Sequence, residues 1–375
     1  MMEINEGYRA DVIGSLLRPD YLKEAQGRFE AGEITHAEFK EIEDRAVDEA
    51  VALQTDAGLD VITDGEMRRY AFFGNWVDAV EGFDKWGGEA LTYRNEEGET
   101  HTFGRPVVVS RLKRRRHMCA EEFAYLRART GGGGGGGESC VLVKATLINA
   151  QQAASYYEPE KSQAAYPSLD AYMADVVDIL RGEVEELLRL GCRLIQVDAP
   201  QYTGLLDPEV REMHRRRGND PDRLLDACIE RDNAVIEGFS GATFAMHLCR
   251  GNNQSKFYAA GGYEPIAAKI FQKTRFGRFL LEYDDGRSGG FEPLDLVPDD
   301  RTVVLGLLST KTGALESREE LKERIREAER FVPLERLALS TQCGFASTME
   351  GNLITPAEQE AKLRMVAETA KEVWG

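Results

Sequence analysis

The stretch SLDAYMADVVDILRGEVEELLRLGCRLIQVD, residues 168–198, decides the fold. Its first part opens on the capping residue Ser168, carries apolar residues at helical spacing and closes at Gly191, which predicts an amphipathic helix. The short run Arg193–Asp198 follows at once and ends on a carboxylate, which predicts a buried strand. A helix that leads directly into a buried strand is typical of a parallel sheet covered by helices.

Strands of this kind recur along the chain, each followed by a helical pattern. Eight are present: Asp11–Ser15, Leu59–Glu66, Val141–Ile148, Arg193–Asp198, Thr243–Cys249, Arg278–Asp284, Thr302–Ser309 and Leu337–Cys343. Start signals at Thr35, Ser168, Ser317 and Thr355 mark the helices between them. Eight βα units predict an α/β fold, a (β/α)8 TIM barrel that forms a single catalytic domain over residues 1–375. A doubly wound open sheet with extra strands is the alternative.

Residues 74–139 interrupt this alternation between the second and third strands. Leu91–His101 carries a hairpin turn signal at Glu96–Gly98, and Arg105–Leu112 follows it. Seven glycines, 131–137, are expected to form a mobile loop because such a tract holds no packed structure. The tract could also link two domains, but the strand–helix pattern continues unchanged after it, which favours an insertion into one barrel.

Composition and charge exclude several classes of partner. The formal net charge of −18 disfavours nucleic acid and anionic membranes, since both attract a positive surface. The arginine runs 114–116 and 215–217 are typical of solvated faces. The first residues have no apolar signal region, and no apolar run is long enough to span a bilayer. Together with six cysteines that form no CxxC motif, these features favour a cytoplasmic protein with free thiols.

Four possible metal ligands lie near the carboxyl ends of predicted strands. His247 and Cys249 are two residues apart in a strand and therefore face the same way, although a buried His beside a Cys is often only core. Glu282 and Cys343 end two later strands, and all strand carboxyl ends meet at one mouth of a barrel. One His, two Cys and one Glu suit tetrahedral Zn²⁺. The remaining cysteines are predicted to be small buried hydrophobes: Cys119, Cys140, Cys192 and Cys228.

Two further carboxylates end strands at the same predicted mouth. Glu66 and Asp198 could clamp an ammonium group there, or they could be solvated loop carboxylates. Ser15, after the first strand, is a weaker candidate, because a Ser in this position is often only a helix cap.

Five ordered motifs carry a resemblance to a known family: Gly14-Ser15, Thr63-Asp64-Gly65-Glu66, Gln196-Val197-Asp198-Ala199-Pro200, His247-Leu248-Cys249 and Gln342-Cys343-Gly344. From about residue 10 to residue 374, the chain resembles the catalytic, C-terminal barrel of the cobalamin-independent methionine synthase family, in particular its short single-barrel bacterial members. The resemblance implies that Zn²⁺ is the cofactor, held by His247, Cys249, Glu282 and Cys343. It also implies that Ser15, Glu66 and Asp198 hold the amino-acid part of homocysteine.

The reaction that this resemblance implies is transfer of a methyl group to homocysteine, which forms methionine. A free thiol has a pKa near ~8.5 and is mostly protonated at neutral pH, whereas a thiol that coordinates a metal is deprotonated. Glu282, the one oxygen ligand, is the ligand expected to leave as the substrate sulfur enters. The expected donor is 5-methyltetrahydrofolate or its polyglutamate.

Two departures from the family leave the donor open. The full-length members carry an additional N-terminal barrel that helps to bind folate, and this chain is not expected to have one. The family also places a His after the seventh strand, where this sequence has Leu308-Ser309-Thr310-Lys311. Lys311 is the candidate proton donor to the leaving group, and with Glu66 and Asp198 completes the predicted catalytic residues. A methylated corrinoid protein, as a partner, or another alkyl donor remains an alternative.

Other functions are weighed on the same residues. A relative of the epoxyalkane:coenzyme M transferases would alkylate a thiol that carries a sulfonate and no ammonium, against which the two mouth carboxylates argue. A metal-dependent amidohydrolase would need several metal histidines, but the remaining four lie in predicted helices or the insertion: His36, His101, His117 and His214. A metal-free decarboxylase of the uroporphyrinogen type and a non-catalytic binding protein are further alternatives. Gly286–Gly290 could cradle an anion such as a folate tail, or form an ordinary turn.

Overall fold

The computed structural model of the protein describes residues 7–131, 141–216 and 218–375. In that part of the chain the strands are β1 (Val61–Ile62), β2 (Val80–Arg94), β3 (Thr100–Arg114), β4 (Leu142–Ile148), β5 (Leu194–Asp198), β6 (Thr243–Leu248), β7 (Arg278–Glu282), β8 (Thr302–Leu308) and β9 (Leu337–Thr341). The α-helices are α1 (Asp20–Glu30), α2 (His36–Ala57), α3 (Gly74–Ala79), α4 (Ala120–Arg129), α5 (Ala150–Ala154), α6 (Pro159–Ser162), α7 (Leu169–Arg189), α8 (Pro200–Gly204), α9 (Pro208–Arg216), α10 (Pro221–Ile236), α11 (Glu264–Lys273), α12 (Arg318–Ala328) and α13 (Pro356–Trp374). Short 3-10 helices cover Gly286–Ser288, Glu292–Leu296 and Leu334–Arg336.

Seven strands form one parallel sheet in the order β1-β4-β5-β6-β7-β8-β9. The segment around Ala10 closes the sheet by a parallel bridge to Leu339 of β9. The Asp11 N–H donates to the Leu339 carbonyl over 2.9 Å, and the Val61 N–H donates to the Ala10 carbonyl over 3.1 Å. This segment therefore takes the eighth place between β9 and β1, and the predicted (β/α)8 TIM barrel is confirmed. The assignment of residues 1–375 to one domain stays a prediction.

The first two barrel strands are shorter than the sequence predicted. Pairing of the first is centred on Ala10 and not on Asp11–Ser15, and the second covers Val61–Ile62 of the predicted Leu59–Glu66. Side chains satisfy the carbonyls that a longer ladder would use: the Gln196 amide donates to the carbonyl of residue 13 over 2.7 Å, and the Thr63 hydroxyl to that of residue 14 over 2.7 Å. The chain is thereby free to bend at the mouth of the barrel.

Side chains from all eight barrel positions fill the interior. One apolar cluster consists of Tyr8, Ile13, Val61, Leu142, Leu194, Ala245, Leu280, Val304 and Ala338. A buried ion triad accompanies it: Asp11 lies 2.8 Å from the Lys144 amino group and 3.0 Å from the Arg278 guanidinium. Burial alone would raise the pKa of Asp11, but the two cations outweigh it and hold that pKa below its usual range.

All four predicted helix starts are confirmed, three of them with a side-chain capping bond. Thr35 and Thr355 form complete capping boxes, and the Ser168 hydroxyl accepts from the N–H of residue 171. Ser317 precedes α12 as predicted but makes no side-chain capping bond. In the described part of the chain, no helix is both long and apolar enough to cross a membrane.

The insertion is built around one antiparallel hairpin, β2–β3. Its turn lies at the predicted Glu96–Gly98, but the two strands extend over 15 residues each, far beyond Leu91–His101. Register shifts between Asp84 and Leu91 bend the hairpin. Except for Gly131, the predicted glycine loop lies outside the described residues, as does Cys140.

Candidate metal centre

The structure brings the four predicted metal ligands together. His247 lies in β6 with Cys249 just after it, Glu282 ends β7, and Cys343 follows β9 by two residues. One ligand atom from each side chain lies within 4.8 Å of every other, and all four side chains are buried. The two sulfur atoms, Cys249 Sγ and Cys343 Sγ, are 3.3 Å apart.

Strand register and one close backbone approach produce this convergence. Leu248 of β6 pairs with Leu281 of β7. The candidate ligands next to this pair, His247, Cys249 and Glu282, therefore reach the barrel mouth at the same level. Beyond β9, the N–H of Gln342 donates to the Leu308 carbonyl over 2.8 Å, which turns Cys343 toward β6. A β-carbon at Gly306 would lie 2.8 Å from the Gln342 Cα, so only glycine lets the backbones approach so closely.

The donor set fits a divalent cation such as Zn²⁺. His247 Nε2 and Glu282 Oε2 are buried and have no hydrogen-bond partner among the described residues. Burial of such atoms without a partner is costly, and a metal ion would satisfy both. His247 Nδ1 lies 3.4 Å from the Leu280 carbonyl, the kind of contact that orients a metal-binding imidazole.

The two cysteines titrate as a pair. The hydrogen bond between the two sulfur atoms lowers the pKa of the Cys343 thiol well below its usual range, although burial opposes this. The same hydrogen bond, together with burial, raises the pKa of Cys249 well above its usual range. A thiolate at Cys343 is the form that a metal binds.

A supporting shell that the sequence analysis missed surrounds Glu282. The Arg250 N–H donates to Glu282 Oε1 over 3.1 Å, and the Arg250 guanidinium donates to the Tyr263 hydroxyl over 3.0 Å. The Tyr263 hydroxyl in turn accepts from the Glu282 N–H over 3.0 Å. The position of Arg250, directly after the His-x-Cys pair, was the only sequence signal for this role.

Glu66 lies at the same mouth in a strained conformation. Its φ of 55° is unusual for a residue with a side chain. Glu66 Oε1 accepts from the Thr146 hydroxyl over 3.0 Å and lies 3.4 Å from the Arg69 guanidinium. Glu66 Oε2 is buried and has no partner among the described residues. Burial raises the pKa of this carboxyl, while Arg69 and Arg18 oppose the rise.

Asp198 ends β5 near both Glu66 and the metal ligands. Its Oδ1 accepts from the Gln196 amide over 2.8 Å. Burial raises its pKa to about 7, with the His247 charge opposing and the Glu66 charge adding to the rise. The structure thus places both predicted carboxylates beside the candidate metal centre, and the role of each stays a prediction.

The other two predicted site residues are held in place by the loops around the centre. The Ser15 hydroxyl accepts from the Ala346 N–H over 3.3 Å, and so packs against the turn that carries Cys343. The Lys311 amino group donates to the Gly251 carbonyl and to Asn252 Oδ1, both over 3.1 Å. Lys311 therefore lies against the loop that follows Cys249.

Two arginines that the sequence analysis did not single out hold the Glu66 turn. Arg18 donates to the Glu66 carbonyl over 2.7 Å and to the Arg69 carbonyl over 3.0 Å. Arg69 pairs with Glu122 over 2.5 Å and donates to the Thr146 hydroxyl over 2.9 Å. Both arginines are almost completely buried, and sequence pattern alone gives no signal for such pairing.

The remaining candidates have ordinary environments. Cys119, Cys192 and Cys228 are buried away from the four-residue cluster. Arg287, in the glycine-rich segment 286–290, is paired with Asp285 and sits in a 3-10 turn, which supports the ordinary-turn interpretation.

Comparisons with known proteins agree with this geometry. Residues 9–254 match the family model of the cobalamin-independent synthase catalytic domain. The protein YxjH of Bacillus subtilis is 35% identical over 98% of this chain and 95% of its own length. The chain belongs to the cobalamin-independent methionine synthase family. The methionine synthase of Saccharolobus solfataricus, in the same family, is 23% identical over 89% of this chain and 86% of its own.

Solved structures give the same result for the fold. A crystal structure of a putative vitamin-B12-independent methionine synthase from Listeria monocytogenes superposes with a TM-score of 0.74, at 26% identity and 98% coverage of both chains. The chain is accordingly a methyltransferase of the cobalamin-independent methionine synthase type, as predicted. The family match includes His247 and Cys249, whereas Glu282 and Cys343 lie beyond residue 254. Nothing in these relatives supports a corrinoid protein as partner.

Proposed function

We propose that the protein is a zinc-dependent S-methyltransferase that transfers a methyl group from 5-methyltetrahydrofolate, or its polyglutamate, to homocysteine and so forms methionine. The observation that carries the proposal is the convergence of one His, two Cys and one Glu within 4.8 Å at the mouth where Glu66 and Asp198 also lie. The ligand set suits zinc, and the two carboxylates suit an amino acid.

His247, Cys249, Glu282 and Cys343 would hold the metal. A bound Zn²⁺ would supply deprotonation of a coordinating substrate thiol at neutral pH. Two thiolates and a carboxylate around it keep the site net anionic, which favours an electron-rich, nucleophilic sulfur. Arg250 keeps Glu282 oriented, because its backbone N–H donates to Oε1 and its guanidinium lies 4.0 Å from Oε2, which has no hydrogen-bond partner among the described residues.

The carboxylate side of the mouth would bind the amino-acid part of homocysteine. Thr146 and Arg69 hold the Glu66 carboxylate through Oε1, and Oε2 has no hydrogen-bond partner among the described residues, so an ammonium N–H would satisfy it. Asp198 would bind the same ammonium group as a second acceptor. Ser15 would complete this subsite while its hydroxyl holds the Cys343 turn.

In the methyl transfer, the bond between the methyl carbon and N5 of the folate breaks as the sulfur–carbon bond forms. The leaving nitrogen then needs a proton. Lys311 is our candidate donor, because its amino group lies at the loop that follows Cys249 and the described residues after β8 offer no histidine.

Metal analysis combined with mass spectrometry tests the proposal. The purified protein is expected to carry about one zinc per chain. With homocysteine and methyltetrahydrofolate it should form methionine, and chelation should stop the reaction. Candidate donors are supplied one at a time. Full activity in zinc-free protein would contradict the proposal.

The alternative is a zinc-dependent alkyltransferase that uses another small thiol or another donor. The observation that favours it is the Lys311 amino group, which lies near the position where the family places a His and is engaged by two acceptors. Calorimetric titration of the zinc protein with homocysteine and, separately, with mercaptoethanesulfonate distinguishes the two. Tighter binding of the sulfonate would favour the alternative.

A further inference from the structure

The tip of the inserted hairpin is docked onto the loop that follows Cys249. Arg94, at the end of β2, forms a two-way backbone pair with Phe257: its N–H donates to the Phe257 carbonyl over 2.6 Å, and the Phe257 N–H donates back over 2.8 Å. The Arg94 side chain also lies 3.2 Å from Asp207 and 3.3 Å from Glu209. Across the turn, Glu99 lies 3.6 Å from the Lys256 amino group. These contacts attach the hairpin to the barrel mouth at several points.

This docking places Tyr93 beside the metal ligands. The Tyr93 and Tyr258 rings meet edge to face, 6.1 Å apart at 85°. A β-carbon at Gly251, whose φ is +92°, would lie 3.2 Å from Tyr93 Cε1 and 2.5 Å from Tyr258 Cδ1. The Gly251 N–H donates to Cys249 Sγ over 3.2 Å. Gly251 thus lies between the Tyr93 ring and Cys249 Sγ.

Electrostatics and burial agree with this placement. Burial raises the pKa of the Tyr93 phenol, and negative charge on Cys249 and Cys343 raises it further. The two cysteines are only 8% and 4% exposed, whereas Tyr93 itself is half-buried. Tyr93 therefore lies at the boundary between solvent and the sulfur atoms.

We propose that Tyr93, carried by the inserted hairpin, forms a wall of the acceptor-thiol subsite and limits the size of the thiol that reaches Cys249 and Cys343. The inference rests on the proposed function for the identity of the thiol, but not for the placement of the wall. It assigns a role in substrate specificity to residues 80–114, which the barrel itself does not require.

Thiol labelling of the zinc-free protein tests the wall without any methyl transfer. The rates at which Cys249 and Cys343 react with N-ethylmaleimide and with a much larger polyethylene-glycol maleimide are measured by peptide mass spectrometry. Tyr93→Ala is expected to speed the reaction with the larger reagent about tenfold and the reaction with the smaller one much less, because it opens the site locally. Tyr93→Phe keeps the ring and should leave both rates unchanged.

Two further variants control for general loosening of the fold. Tyr125→Ala removes a tyrosine of the same insertion that contacts Asp48 of α2 and not the metal ligands, and its labelling should match that of the parent protein. Arg94→Ala removes the ion pairs with Asp207 and Glu209 but leaves Tyr93 intact, and should give a smaller acceleration. Unchanged labelling in Tyr93→Ala, or equal effects of the Ala and Phe variants, would overturn the proposal.

Steady-state kinetics then test whether the Tyr93 wall affects specificity for the acceptor thiol. In Tyr93→Ala, KM for homocysteine should rise while kcat changes little, and the preference for homocysteine over bulkier thiols should fall. If the parent protein transfers no methyl group but the labelling result holds, the proposed function fails and the wall remains. If methyl transfer occurs and labelling is unchanged, the wall fails and the proposed function remains.

Discussion

The two sides of the barrel mouth differ in how far neighbouring groups compensate their buried charges. On the metal side, from β6, β7 and β9, His247 Nε2 and Glu282 Oε2 have no hydrogen-bond partner among the described residues, although the Arg250 guanidinium lies 4.0 Å from Glu282 Oε2. On the carboxylate side, Arg18 and Arg69 neutralise much of the charge around Glu66, and one oxygen remains without a partner. Under the proposed function, the metal side takes up a whole cation, whereas the carboxylate side takes up only the hydrogen-bond donors of a substrate.

The largest expected effect comes from removal of one candidate metal ligand. Cys343→Ala removes one of two thiolates, so we expect loss of zinc and a fall in kcat/KM of more than ~10³, since each factor of ten is about 1.4 kcal/mol. Zinc content and methionine formation are measured together. Cys228→Ala, also a buried cysteine but in α10, is the matched control and should keep both. A Cys343→Ala variant that loses zinc but retains activity would contradict the role of the metal side as a zinc site that methyl transfer needs.

A change on the carboxylate side should affect substrate binding and leave the metal in place. Glu66→Gln keeps the shape but removes the charge, and we expect KM for homocysteine to rise about 10- to 100-fold, the worth of a charged hydrogen bond. Zinc content should be unchanged. Glu122→Gln alters the other carboxylate partner of Arg69 and controls for damage to the arginine network. An equal rise in KM in both variants would assign Glu66 a structural role.

The support of Glu282 by Arg250 should have an intermediate effect. Arg250→Lys keeps a positive charge but cannot reproduce the contacts of the guanidinium to Tyr263 and the Gly261 carbonyl. We expect zinc affinity to fall about tenfold, at the low end for a residue that orients a metal ligand. Competition with a chromogenic chelator measures it. A variant with unchanged zinc affinity but altered KM would place Arg250 on the substrate side of the mouth.

The smallest expected effect is a pH dependence of the free energy of unfolding of the metal-free protein, to which Asp198 on the carboxylate side contributes. Burial raises the pKa of Asp198 to about 7 in the folded state, while an unfolded Asp titrates near ~3.9. The folded protein then holds a proton that the unfolded chain releases, so the free energy of unfolding contributed by this group falls as pH rises from about 4 to about 7.

Urea unfolding of metal-free protein across that pH range measures this contribution. Asp198→Asn should flatten the dependence, and Asp299→Asn, at a fully exposed carboxylate, should not. An identical pH profile in Asp198→Asn and the parent protein would show that Asp198 is ionised throughout this range.

Local sequence pattern was enough to predict the architecture and the four candidate ligands. Amphipathic helices that alternate with apolar strands admit few arrangements, and closure of eight parallel strands brings the ends of β6, β7 and β9 to one mouth. The hairpin turn at Glu96–Gly98 was also readable, because turn chemistry is local. The strand bounds were less accurate: the first strand proved shorter than predicted, because the side chains of Gln196 and Thr63 bond the carbonyls of residues 13 and 14.

The side chains that support the site could not be predicted, because their positions depend on tertiary packing. Arg18, Arg69 and Arg250 could as well have been surface residues, and their burial depends on partners 2 to 328 positions away in sequence. The approach of Tyr93 to the Cys249 loop depends on how a bent hairpin docks onto another loop. Local pattern specifies which face of an element is apolar, but long-range contacts between polar side chains are fixed only when the elements pack.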